Sequence, residues 1–206
     1  MSIYNENVIE ELKGLCDLDV FGPGAFLYNP NMLGMEEQIS FISEVVKKNN
    51  IECVLETGTE SGLFCYFIKC LIPNVKVFTF GLDGSKDFGE NDQRGKKCTD
   101  FLNSKFGNYI TFIEGDSKET LTSFTCYDKI DLAWIDGGHD IETLTSDLNN
   151  CKRLNIPNIC VDDYYMISDI IQPCVKEFLN MNKRYMISST SLEGVDDRGI
   201  CLLQSQ

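Results

Sequence analysis

Hydrophobic positions along the chain switch repeatedly between a helical spacing and short β-type runs. Val8-Ile9-Glu10-Glu11-Leu12 fits a short helix, and Phe21-Gly22-Pro23-Gly24 is a turn signal. From Met35, Ile39, Ile42, Val45 and Val46 recur at helical spacing and stop near Asn49-Asn50. Cys53-Val54-Leu55 is a compact apolar run that halts at Glu56-Thr57-Gly58. A helix is expected from Gly62 to Leu71, stopped by Pro73, and a strand from Val75 to Phe80, rich in β-branched and aromatic residues. The alternation continues: helix Asp92 to Phe106, strand Tyr109 to Ile113, helix Lys118 to Phe124 and strand Ile130 to Ile135. Ile141, Leu144, Leu148, Cys151 and Leu154 mark one face of the next helix, followed by the buried strand Ile159-Cys160-Val161. A helix from Ile167 to Met181, adjusted near Pro173, precedes two closing strands, Tyr185 to Ser189 and Ile200 to Leu203, joined by a polar loop around Gly194.

Strands alternating with helices imply right-handed crossovers and an α/β fold: a doubly wound, mostly parallel sheet of seven strands with helices on both faces. The closing hairpin makes the last strand antiparallel. No internal repeat, low-complexity tract or Pro/Ser-rich linker divides the chain. One domain over residues 1–206 is expected, with 1–34 as an N-terminal extension.

Composition narrows the function. Thirty-two acidic against 18 basic residues leave a formal charge of −14, which argues against nucleic acid and against an anionic membrane surface as partners. No apolar stretch reaches the roughly 18–20 residues of a membrane helix, and the N-terminus lacks the basic and apolar regions of a signal peptide. The ten cysteines are scattered, without a CxxC pair, and most sit in apolar runs, where a thiol acts as a small hydrophobe. With a single histidine, a structural zinc site is disfavoured. A reduced, cytoplasmic protein is expected.

In sheets of this kind ligands sit at the carboxyl ends of the strands, so the residues that end each strand matter. The first strand runs into Glu56-Thr57-Gly58-Thr59-Glu60-Ser61-Gly62. Glycines there let backbone approach a ligand, and a carboxylate can accept hydrogen bonds from ribose hydroxyls or an amino group. No Gly-Lys-Ser/Thr follows, and Glu60 replaces the second glycine of a dinucleotide fingerprint, so a nucleotide phosphate loop and a nicotinamide cofactor are disfavoured. The alternative is that these are ordinary turn glycines.

The third, fourth and fifth strands end in Glu114-Gly115-Asp116-Ser117, Asp136-Gly137-Gly138-His139-Asp140 and Asp162-Asp163-Tyr164. Acids gathered at one sheet edge are costly unless a cation or hydrogen bonds compensate them. If strands four and five pair, Asp136, Asp162 and Asp163 converge and suit Mg²⁺ or another hard divalent ion. The alternative is that Asp162 and Asp163 cap the following turn. His139 is placed for general-base work beside Asp136, or is a structural loop residue; Trp134 belongs to the core.

Leu55 to Gly62 resembles the first motif of class I S-adenosylmethionine-dependent methyltransferases. Gly115-Asp116-Ser117 is similar to their adenine-contacting loop. Ile135 to His139, then Asp147-Leu148 and Val161-Asp162-Asp163, resemble a small-molecule subgroup that includes metal-dependent sugar O-methyltransferases and, more distantly, catechol and caffeoyl-CoA O-methyltransferases. The resemblance spans Met35 to the C-terminus and implies a Rossmann-like fold with S-adenosylmethionine and Mg²⁺ as cofactors. It assigns Glu56, Thr57, Gly58 and Gly62 to the amino-acid and ribose end of the cofactor, and Gly115, Asp116 and Ser117 to its adenine. Asp136 is placed at the cofactor and, with Asp162 and Asp163, at the metal; His139 falls where sugar enzymes carry a catalytic histidine.

Two departures accompany it. Gly81 stands where the family carries its ribose-binding acid, with Asp83 two residues later as the substitute, and Pro157-Asn158 replaces the glycine pair before the fifth strand. Residues 1–34 correspond to the part that builds the acceptor pocket in relatives. The implied activity is methylation of a hydroxyl on a sugar, catechol or other vicinal-diol small molecule, with homo-oligomer formation open. The rival readings are a metal-independent methyltransferase and a non-catalytic cofactor-binding module.

Overall fold

The computed structural model describes residue 11 and residues 35–83, 93–190 and 199–206. Apart from Glu11, the expected helix Val8–Leu12 lies outside these residues, as do the turn at Phe21–Gly24, the start of the helix at Asp92 and the loop around Gly194.

The described chain alternates helix and strand: α1 (Met35–Lys48), β1 (Cys53–Thr57), α2 (Leu63–Leu71), β2 (Lys76–Gly81), α3 (Arg94–Phe106), β3 (Ile110–Glu114), α4 (Ser117–Ser123), β4 (Leu132–Ile135), α5 (Ile141–Arg153), β5 (Asn158–Val161), α6 (Ser168–Met181), β6 (Tyr185–Thr190) and β7 (Cys201–Ser205). One seven-stranded sheet has the order β3-β2-β1-β4-β5-β7-β6. The pairs among β1 to β5 are parallel, and β7 runs antiparallel to both β5 and β6. The order reverses between β1 and β4, which is the switch point where such sheets open a crevice.

Strands with alternating inward positions on both faces explain why the apolar runs look continuous. Val54, Trp134, Cys160 and Leu202 face α1, α2 and α3. Leu55, Ile135, Val161 and Leu203 face α4, α5 and α6. Each fully buried aliphatic side chain contributes about 1.5–3 kcal/mol of transfer free energy, so the two layers anchor the sheet. Trp134 is core, as expected: its ring stacks on Phe64 at 4.7 Å between centroids.

The ladder of β1 with β2 and β4 continues past the apolar run through Thr57, because Glu56 finds hydrogen-bond partners on α2 and β2. One expectation is corrected. Ile141 does not share the buried face of α5; it is 64% exposed, since it opens the helix at the site edge before the packed turns begin. Pro173 is accommodated inside α6.

Candidate active site

Register places the site. Thr57 pairs with Ile135, and Ile135 with Val161, so Gly58, Asp136 and Asp162 each follow a matched strand end. The ladder runs one step further: Asp136 N donates to Thr57 O at 3.0 Å, Asp162 N to Ile135 O at 3.0 Å and Gly58 N to Phe80 O at 2.9 Å. The ends of β1, β2, β3, β4 and β5 thereby wall a cavity of about 610 Å³, to which Gly58, Asp83, Gly115, Asp116, Ser117 and Asp136 contribute. Gly58 has φ +93°, a left-handed conformation that suits glycine.

Around the fourth and fifth strand ends, His139 Nε2 lies 3.1 Å from Asp163 Oδ2 and 3.8 Å from Asp136 Oδ1. Among the described residues, Asp136, His139 and Asp163 form the group whose ligand atoms all lie within 4.8 Å of one another. Asp162 lines the same cavity and its charge raises the Asp136 carboxyl more than that of Asp163 does, but it stands outside that group. Burial, then the charges of Asp162 and Asp163, hold the Asp136 carboxyl well above the usual carboxylate range. The Asp163 hydrogen bond raises the His139 pKa, opposed by the partial burial of the ring. Asp163 adopts φ +52°, and its carbonyl, not its side chain, accepts from Ile167 N at 3.1 Å. The Asp136 and Asp163 carboxylates are oxygen donors of the kind a hard cation takes, and the His139 imidazole lies beside them.

The other expected residues have distinct placements. Asp116 caps α4, accepting from Lys118 N at 2.9 Å. Gly62 ends the β1–α2 turn at φ +71° and does not line the large cavity. Thr57 is buried, and its hydroxyl has no hydrogen-bond partner among the described residues. Glu56 is 1% exposed; it accepts from Cys65 Sγ at 3.0 Å and from the Thr79 hydroxyl. Burial pushes its carboxyl up to about 7, the two hydrogen bonds opposing that rise. Glu56 lines a smaller cavity of about 80 Å³ under α1, with Phe64, Trp134 and Asp136. Asp83 accepts from Gly95 N and Lys96 N, both at 2.9 Å, so each of its oxygens already serves the first turn of α3.

Three residues at the site are given no role by the sequence, although Asp147 and Glu60 lie within its motifs. Asp147 is 1% exposed beneath the Gly137–Gly138 turn. Burial raises its carboxyl to about 6, tempered by the nearby Ser117 and Thr57 hydroxyls, which stop short of full hydrogen-bond geometry. The signal is in the sequence: an acid between Leu144 and Leu148 on the apolar stripe of α5. Glu60 and Arg94 also line the cavity and pair at 3.7 Å. They are far apart in sequence, and no pattern links them.

A family model described as a methyltransferase domain matches residues 55–164, more than half of the chain. The chain belongs to this family, and its sheet is that of the class I methyltransferases. The O-methyltransferase TomG from Streptomyces achromogenes, involved in tomaymycin synthesis and solved with SAM, is similar at a TM-score of 0.71 and 12% identity, covering 100% of this chain and 92% of its own. An O-methyltransferase from Bacillus cereus in complex with SAH gives 0.68 at 17% identity, covering 100% and 94%. The SAH-bound Podospora anserina methyltransferase PaMTH1 gives 0.65 at 14% identity, covering 98% and 89%. At these identities the likeness is one of fold. No curated protein matches the sequence.

Proposed function

We propose that the protein transfers a methyl group from S-adenosylmethionine to a hydroxyl of a small molecule, of the sugar or vicinal-diol and catechol type, assisted by a divalent cation such as Mg²⁺. The observation that carries this reading is the meeting of the Gly58 turn and the Asp136, His139 and Asp163 group on one cavity. The O-methyltransferases named above, solved with SAM or SAH, support the donor and the acceptor atom.

When bound, S-adenosylmethionine supplies a methyl carbon made electrophilic by a sulfonium. When bound, a divalent cation lowers the pKa of a hydroxyl it ligates; Asp136 and Asp163 would hold it, with Asp162 beside Asp136 as the third acid. His139 takes the hydroxyl proton as the O–CH₃ bond forms and the S–CH₃ bond breaks. Asp163 then stabilises the imidazolium by the hydrogen bond seen at 3.1 Å. The strand-end acids suit a positively charged donor. Gly58 and Gly115 would let backbone approach it, and Asp116 and Ser117, which line the cavity after β3, would receive its adenine.

Residues 1–34 are proposed to belong to the acceptor side. No helix among the described residues is long and apolar enough to cross a membrane. A cytoplasmic setting suits the nine free cysteines among those residues.

The test is a calorimetric titration of S-adenosylmethionine with and without Mg²⁺, followed by turnover on a panel of catechols and sugars. Micromolar binding supports the reading; no binding under any condition overturns it. Turnover insensitive to a chelator would favour the metal-independent variant of the same reaction.

A further inference from the structure

The geometry points to Glu60, fixed by Arg94, as the carboxylate that receives the ribose hydroxyls of the methyl donor; this rests on the proposed donor. In S-adenosylmethionine a single methylene separates the sulfonium from the ribose. A methyl delivered beside His139 and Asp163 would keep the ribose within the same cavity, whose wall includes the ends of β1 and β2. A vicinal diol there needs a hydrogen-bond acceptor, best a carboxylate, since charge-assisted bonds are the strong ones.

The end of β2 cannot supply it. A β-carbon at Gly81 would stand 2.7 Å from Thr59 Oγ1 and 2.8 Å from Thr59 Cβ. Thr59 is itself held by a 2.6 Å hydrogen bond to the Thr79 hydroxyl. A side chain at position 81 is thus blocked by a neighbour fixed in the sheet.

The remaining acids on the cavity wall, among the described residues, have other tasks. Asp136, Asp162 and Asp163 gather at β4 and β5. Asp116 and Asp140 cap α4 and α5. Asp83 gives one oxygen to each of two α3 amides. Glu56 is buried and does not line this cavity. Glu60 sits beside Thr59 on the wall, and its side chain, 39% exposed, faces the open cavity side of the β1–α2 turn.

Its backbone supports the assignment. Glu60 has φ +39°, a left-handed conformation that non-glycine residues adopt at an energetic cost. The conformation aims position 60 at α3, where Arg94, only 6% exposed, holds Oε1 at 3.7 Å. A guanidinium buried on the wall orients the carboxylate. Glu60 is the ligand-binding group, and Arg94 is a positioning residue.

Calorimetry with S-adenosylhomocysteine and its 2′,3′-dideoxy analogue tests this. Glu60→Gln and Glu60→Ala are expected to weaken S-adenosylhomocysteine at least ~10-fold, the scale of one charge-assisted hydrogen bond. The same variants are expected to bind the dideoxy analogue as the wild type does. Arg94→Lys, which keeps the charge but loses the fork, should give an intermediate loss confined to the hydroxylated ligand. Equal binding by wild type and variants, or an equal loss for both ligands, overturns the assignment. Thermal unfolding of the ligand-free variants confirms that the comparison is made on folded protein. Failure of the wild type to bind S-adenosylhomocysteine would remove the donor reading itself, a result distinct from a wild type that binds and variants that bind equally.

Discussion

The carbonyl oxygen of Asp136 lies 1.9 Å from where a β-carbon on Gly58 would stand. The β1 turn and the end of β4 therefore touch backbone to backbone, and the cavity floor exists only because residue 58 has no side chain. Gly58→Ala must push the two strand ends apart and also strain a backbone at φ +93°. A loss of about 2–4 kcal/mol in unfolding free energy is expected, with loss of S-adenosylhomocysteine binding. Urea unfolding and calorimetry check both; a variant that binds normally would mean that the floor is not part of the site.

His139 and the acids around it can be separated by their effects. His139→Ala is expected to lower kcat by roughly 10²–10⁴-fold while S-adenosylhomocysteine affinity stays within a factor of about two. Asp162→Ala and Asp163→Ala are each expected to weaken Mn²⁺ binding at least ~10-fold, read from the free-ion signal in electron paramagnetic resonance. If Asp162→Ala leaves Mn²⁺ affinity intact while His139→Ala reduces it, the imidazole and not Asp162 is the third ligand.

Glu56 should make stability depend on pH. Its folded-state pKa of about 7 lies above the ordinary 4.5, so folding favours the neutral form. The contribution is fully present below about pH 4.5 and is lost as pH rises through 7, by about 3 kcal/mol in all. Glu56→Gln removes this slope. Urea unfolding of both proteins at pH 5 and pH 8 should show the variant gaining on the wild type at the higher pH. A difference independent of pH would place the ionisation elsewhere.

Asp140 begins α5, accepting from Thr143 N at 2.9 Å and Thr143 Oγ1 at 2.7 Å. These bonds hold its carboxyl below the usual range. Asp140→Ala is expected to cost about 1 kcal/mol at neutral pH. The cost should shrink as the medium is acidified through the carboxylate range, because the cap is then lost from the wild type as well. Unfolding titrations at pH 7 and pH 3 measure it.

Sequence reasoning recovers what local pattern encodes. The 3.6- and 2-residue periods locate α1, α2 and the seven strands because burial on a helix stripe or a sheet face is imposed residue by residue. Acids directly after β3, β4 and β5 are legible because polar residues interrupt apolar runs only where the strand leaves the core. The exposure of Ile141 is not legible, since the helical period continues past the edge of the packed layer. Nor is the depth of Glu56, which depends on Cys65 and Thr79 arriving from α2 and β2.

By itself the sequence determined an alternating α/β chain, an acidic strand edge and a glycine turn after the first strand, because each depends on neighbours in the chain. Only the tertiary structure decided which acid does what. It set Asp83 on α3, enclosed Asp147 under the Gly137–Gly138 turn, brought His139 onto Asp163, and joined Glu60 to Arg94. Those roles come from distances between residues far apart in sequence, which are set by sheet register and helix packing and leave no periodic trace in the chain.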